Sequence, residues 1–175
     1  MPFAKTLTRA ALAAVALAVA APAAAQDTPQ PDYAAVGEAT APVADAYFAA
    51  YTSRDWDAAE ALLAEHADFV DPTATLVFGE VTSDGRAAIM ERFRVSYAGI
   101  THMEFVSGSR MVSAETAIYE GALHWGFDLG DGTLVDAVTP MVIVLTVEDG
   151  RVVHHRDYVD YTPFIEAMRR ARAEG

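Results

Sequence analysis

The chain has no cysteine, and its 175 residues include a single lysine, Lys5. The first absence removes thiol nucleophiles, disulfides and cysteine-ligated metals together. The second removes side-chain Schiff-base chemistry from everything beyond the first few residues. Positive charge is scarce as well: 12 Lys and Arg stand against 25 Asp and Glu, for a formal net charge of −13. Such a chain repels nucleic-acid phosphates and anionic lipid, so the reading includes neither nucleic acid nor a membrane as partner. The plain consequence of the charge is solubility. No GxSxG elbow, no HExxH and no phosphate-cradling glycine loop occurs, and the turns at Asp131 and Asp149 lack the residues of a calcium loop. What remains is 53% apolar content, enough to build a core without covalent cross-links.

The longest apolar run, ALAAVALAVAA, follows Lys5 and Arg9 and precedes Ala23-Ala24-Ala25. A short basic region, an apolar stretch too short and too poor in Leu and Ile for a span, and a small-residue site predict a signal peptide over 1–25. Cleavage before Gln26 places the mature chain in the periplasm or outside the cell, with no membrane association and arginine as its only strong cation. Residues 26–41, rich in Pro and Ala without sustained period, read as a flexible leader. One domain over 42–172 follows.

Val43, Tyr47, Phe48 and Tyr51 fall at helical spacing. Asp55 is placed to cap a second helix, with Trp56, Ala59, Leu62 and Leu63 on its buried face. A short strand, Asp68 to Val70, runs into Asp71-Pro72-Thr73, where proline ends pairing. Ser83-Asp84-Gly85 opens a third helix with Ile89, Met90, Phe93 and Tyr97 as its stripe. After Gly99 the period falls to about two. Strands are predicted over 101–112, 116–127, 133–147 and 151–160, turning at Gly130-Asp131-Gly132 and Glu148-Asp149-Gly150. Tyr161 to Arg172 reads as a closing helix. Helices followed by a meander give an α+β class, with the helices against one face of the sheet.

The stretch YFAAYTSRDWDAAEALLAEHADFVDP, Tyr47 to Pro72, resembles the start of ketosteroid isomerase and its SnoaL-like/NTF2-like relatives. In that family a helix tyrosine donates to an oxyanion and an aspartate before a proline shuttles the proton. Tyr47 and Asp71 match those positions. The run HHRDYVD is similar to the last strand of the limonene epoxide hydrolase branch, where a catalytic aspartate sits at the position of Asp157. The resemblance implies a cone: a strongly bent antiparallel sheet wrapped around N-terminal helices, with an internal pocket. It also implies a homodimer through the outer sheet face.

Strand parity groups Ile118, Glu120, Ala122 and His124 on one face, and His155, Asp157 and Val159 on another. Laid on ketosteroid isomerase, both groups fall inside the cone. The implied catalytic set is Asp71 as base and Tyr47 as donor, with His124, His155 and Asp157 tuning or relaying protons. Glu120, Ile118, Ala122 and Val159 would bind substrate. Tyr119, Trp125 and Tyr158 read as outer-face packing. The second acid of ketosteroid isomerase falls in Met141–Val144, where every residue is apolar, so steroid isomerisation itself is disfavoured.

Each residue has a competing structural role. Asp71 also suits a turn organiser, Tyr47 a core tyrosine, and His124 and His155 core histidines paired to Glu120 and Asp157. The same His/carboxylate set has the composition of a zinc or iron site, without a supporting motif. The preferred reading is an enzyme: metal-free, cofactor-free acid-base catalysis (isomerase, cyclase or dehydratase type) on a small apolar carbonyl or hydroxyl compound. The alternative is a noncatalytic periplasmic binding domain of the same fold.

Overall fold

The computed structural model describes residues 32–174. The signal segment and residues 26–31 of the leader lie outside them. Helix α1 (Tyr33–Ser53) begins well before the expected start, with the Asp32 side chain accepting from the Ala35 N–H at 3.1 Å. Residues 33–41 are therefore helix, not leader. Pro42 sits inside α1, a position that costs a helix about 3 kcal/mol. The Asp32 cap and the alanines at 34, 35, 39 and 41 favour the helix, and Thr40 and Ala44 bury on either side of the proline. Arg54, at φ 60°, ends α1 in the left-handed conformation.

Asp55 caps α2 (Trp56–Leu62) through the Ala58 N–H, as expected. The chain passes directly into β1 (Leu63–Val70), then through a short α3 (Thr75–Phe78) to β2 (Thr82–Asp84). Helix α4 (Arg86–Ser96) and a 3₁₀ turn (Tyr97–Gly99) lead to the long strands β3 (Ile100–Ser113), β4 (Thr116–Asp128), β5 (Leu134–Glu148) and β6 (Arg151–Val159), and α5 (Thr162–Glu174) closes the domain. Among the described residues no helix is long and apolar enough to cross a membrane.

The α+β class and the curved sheet hold, in the order β2-β1-β6-β5-β4-β3. One pairing departs from the antiparallel expectation: β1 runs parallel to β6. Asp68 fixes that pair by accepting from both terminal nitrogens of Arg156, at 2.6 and 2.9 Å, and from His154. Arg156 holds the Asp68 carboxyl below the usual range, so this clamp stays charged at neutral pH. It sets the register of β6, whose alternate residues 155, 157 and 159 then face α1.

Curvature comes from bulges in β3 opposite glycines of β4. A Cβ on Gly121 would lie 2.3 Å from the Val106 carbonyl oxygen and 2.6 Å from the Phe105 ring. We expect Gly121→Ala to cost about 3 kcal/mol, as overpacking does where backbone must yield. Urea unfolding checks this; a change within experimental error would mean that the strands do not approach so closely.

Helix α1 lies across the concave face. Arg110 and Tyr119 both donate to the Asp45 carboxylate, at 2.7 and 2.8 Å, and Phe48 stacks on Tyr119 with centroids 4.1 Å apart. These contacts orient α1 so that Tyr47 and Tyr51, one turn apart, both point at β6.

Candidate active site

Parity on β6 is as expected, and parity on β4 is reversed. Partners across a ladder share a face, and Asp157 pairs through Ile143 with Tyr119. Tyr119, Leu123 and Trp125 are thus the inward set and are buried, where outer packing was expected for Tyr119 and Trp125. Glu120 pairs with Val142 and Tyr158, and His124 with Glu104 and Val138. Tyr158 and Val138 are exposed. Glu120, Ile118, Ala122 and His124 therefore lie on the outer face, and none of them lines the cavity. Glu120 accepts instead from the Ser109 hydroxyl at 2.8 Å. The imagined metal set is split by the sheet, and among the described residues no cluster of three His, Asp or Glu is arranged for a metal.

Inside, five side chains form one hydrogen-bonded line. Tyr47 Oη lies 3.0 Å from His155 Nδ1, and His155 Nε2 lies 2.8 Å from Asp157 Oδ1. Tyr51 Oη donates to Asp157 Oδ2 at 2.7 Å and meets Tyr97 Oη at 2.8 Å. The network assigns the protons. An ionised Asp157 only accepts, so His155 donates from Nε2 and accepts from Tyr47 at Nδ1. Tyr51 spends its hydrogen on Asp157, so Tyr97 donates to Tyr51. Burial, reinforced by the Asp157 charge, pushes the Tyr47, Tyr51 and Tyr97 hydroxyls far above their ordinary value. They are neutral donors at any working pH. His155 has no exposed surface and is enclosed edge-on by Tyr47, Tyr51 and Phe69.

The line ends at a cavity of about 280 Å³. Phe69, Met103, Leu123, Trp125, Met141 and Val159 supply apolar wall, and Tyr51, Tyr97, Tyr161, Asp71, Asp157 and Arg92 supply polar groups. The volume is near the lower end of small-molecule sites, about 300 Å³. Met141 confirms that the strand of the missing second acid is apolar where it meets the cavity.

Of the expected residues, Asp71, Asp157 and Val159 line this space, and His155 stands directly behind Asp157. Tyr47 does not reach it. The tyrosine that does is Tyr51, one helical turn later. Asp71 is buried and its Oδ1 accepts from the Thr73 N–H, the Thr73 hydroxyl and the Ala74 N–H, while Oδ2 accepts from Tyr161 at 2.6 Å. Thr73 Oγ1 accepts in turn from the Val159 N–H. Asp71 thus organises the turn after β1, the competing role identified for it. Tyr97, Tyr161, Arg92 and Trp125 were not expected in the site. The helical spacing of Arg92 and Ser96, both on the cavity side of α4, carried a signal for one of them.

Solved structures share this fold at low identity. A protein of Shewanella denitrificans OS-217 assigned as a SnoaL-like polyketide cyclase superposes with a TM-score of 0.67 at 18% identity, covering 75% of this chain and 97% of that one. A Catenulispora acidiphila protein with a ketosteroid isomerase-like fold, in complex with trimethylamine, gives 0.61 at 18% identity over 73% and 92%. TerC, co-crystallised with polyporic acid, gives 0.61 at 19% identity over 75% and 98%. No curated protein matches the sequence. The SnoaL-like domain profile matches residues 44–155, which spans α1 to His155 and includes Tyr47, Tyr51 and Asp71. The chain belongs to the SnoaL-like domain family.

Proposed function

We propose that this domain catalyses cofactor-free proton transfer next to a carbonyl of a small, largely apolar compound, with Asp157 as the base. The observation that carries this reading is the fully buried line Tyr47–His155–Asp157 opening onto an apolar cavity. A buried carboxylate held by an imidazole is costly, and apolar residues would pack the same space at less expense. Such a group kept beside a cavity supports a chemical role.

Asp157 suits the role better than Asp71. Asp157 accepts two hydrogen bonds, one on each oxygen, whereas Asp71 accepts four, three of them on Oδ1, and each bond to a carboxylate weakens it as a base. In the proposed reaction the C–H bond beside the carbonyl breaks and its proton moves to Asp157. The electron pair moves onto the carbonyl oxygen as an enolate. Tyr97, whose hydrogen is held only by the Tyr51 oxygen, turns to donate to that oxygen. Return of the proton to another carbon gives isomerisation, and attack of the enolate on a second carbonyl, whose oxygen then takes the proton back from Asp157, gives cyclisation. The polyketide cyclase assignment of a structural neighbour fits this class.

The test is exchange of the acidic C–H of β-tetralone in heavy water, followed by proton NMR. Wild type is expected to accelerate it and Asp157→Asn to lose that acceleration. Ligand binding with no exchange would instead favour the noncatalytic binding domain.

We propose export with cleavage before Gln26, and a homodimer through the outer face that carries Ile118, Ala122 and Val142. Native mass spectrometry of the protein purified from its own cells reports both. A mass starting at Met1, or a monomer, would overturn the corresponding reading.

A further inference from the structure

Arg92 is the only cation among the residues that line the cavity. Strand β2 holds it from the side: Nε donates to Ser83 Oγ at 2.7 Å and Nη2 to the Thr82 carbonyl at 2.8 Å. Among the described residues Nη1 has no hydrogen-bond partner and no carboxylate pairs with the guanidinium. Arg86, Arg94, Arg110 and Arg156 each have such a partner, and Arg54 and Arg151, which are held by main-chain carbonyls without one, do not line the cavity. In a chain with about twice as many acidic as basic residues, a fixed but unpaired guanidinium is an unusual group to find at a cavity wall.

The remaining charges in the cavity are Asp71 and Asp157, both buried and both engaged by tyrosine hydroxyls. An acidic ligand group is repelled from that end. A guanidinium with free N–H donors presents the planar fork that fits a carboxylate or an enolic oxygen pair. From this arrangement we infer that the ligand carries an anionic oxygen group, seated on Arg92, with its neutral reacting carbon toward Asp157. The inference rests on the reading of this cavity as the ligand site and adds the substrate class: an aromatic or alicyclic acid.

Two other roles are available to Arg92: a brace for β2 and a countercharge for the aspartates. Neither discriminates a carboxylate ligand from its amide. The experiment is therefore calorimetric titration with β-naphthoate and with β-naphthamide, nearly isosteric and differing in charge. Wild type is expected to bind the acid about tenfold tighter, the effect of one charge-assisted pair. That preference should shrink as salt is raised. Arg92→Gln should abolish the preference while leaving the amide affinity within about twofold, and Arg92→Lys should keep part of it. Equal wild-type affinity for the two ligands would overturn the inference, and so would a preference that survives Arg92→Gln. The wild-type comparison decides the matter even if Arg92→Gln folds poorly.

Asp157→Asn separates the two readings. It is expected to keep the acid-over-amide preference while losing exchange of β-tetralone. Exchange that ignores Asp157 sinks the reaction and leaves the Arg92 assignment standing. A missing preference with Asp157-dependent exchange does the reverse.

Discussion

Replacing His155 with leucine should remove about 3–5 kcal/mol of folding stability, because it takes a donor from a buried carboxylate and strands the Tyr47 hydroxyl, each costing about 1–3 kcal/mol and more for a charged group. Leucine leaves Asp157, 2% exposed, with Tyr51 as its only donor, and leaves the Tyr47 hydroxyl with nothing to donate to. A domain of this size has roughly 5–15 kcal/mol in total, so the variant would be near its unfolding threshold. The paired variant His155→Leu with Asp157→Leu is expected to be more stable than the single one, because the uncompensated charge goes with its partner. The Tyr47 hydroxyl still lacks an acceptor there, and an unsatisfied buried group costs about 1–3 kcal/mol. Urea unfolding of the two singles and the double gives the coupling directly. If His155→Leu alone stayed within about 1 kcal/mol of wild type, Asp157 would not be an ionised acceptor that needs His155, and the case for Asp157 as base would lose its physical ground.

The dyad was visible in the sequence because β6 alternates clearly. His155, Asp157 and Val159 face in, and His154, Arg156, Tyr158 and Asp160 are polar or amphipathic and face out. Strand β4 has the opposite parity to the one expected, although its own pattern marks the buried face. One parity is Tyr119, Leu123, Trp125 and Phe127; the other holds Glu120 and His124. Large apolar side chains mark the buried face more reliably than the presence of titratable groups does. The resemblance to ketosteroid isomerase implies the opposite parity to that alternation. A shift of one residue then moved four candidates to the wrong side.

On α1 the difficulty was different. Tyr47 and Tyr51 lie four apart on one helical face, so spacing alone does not say which hydroxyl reaches the cavity and which reaches His155. That depends on the depth at which α1 crosses the sheet, set by long-range contacts such as Asp45 with Arg110 and Tyr119. The helical start at Tyr33 was hidden by Pro42, which read as a boundary. Arg92 was unreadable for a related reason. What distinguishes it is a place on the cavity wall without a carboxylate partner, and both the wall and the partnership, which spans 9 or more residues, are properties of the folded chain.

Asp157→Asn and Asp71→Asn should divide sharply in the exchange assay. Asparagine at 157 keeps the shape and can still accept from Tyr51, but its amide cannot take up the proton. Loss of a positioned base costs about 10²–10⁴-fold in rate, and we expect a fall in that range with the fold intact. Asparagine at 71 keeps a carbonyl oxygen for the Thr73 and Ala74 N–H groups, and its other position faces the Tyr161 hydroxyl as an NH₂. Its main effect should be on the turn and the cavity wall, seen as weaker ligand binding with kcat reduced less than about tenfold. The resemblance to ketosteroid isomerase predicts the opposite order, with Asp71 the essential base. Measuring kcat and KM for both variants on one ketone therefore decides between inherited position and observed geometry. A loss confined to Asp71→Asn would return the base to the residue before the proline and reduce Asp157 to the group that holds His155 and Tyr51 in place.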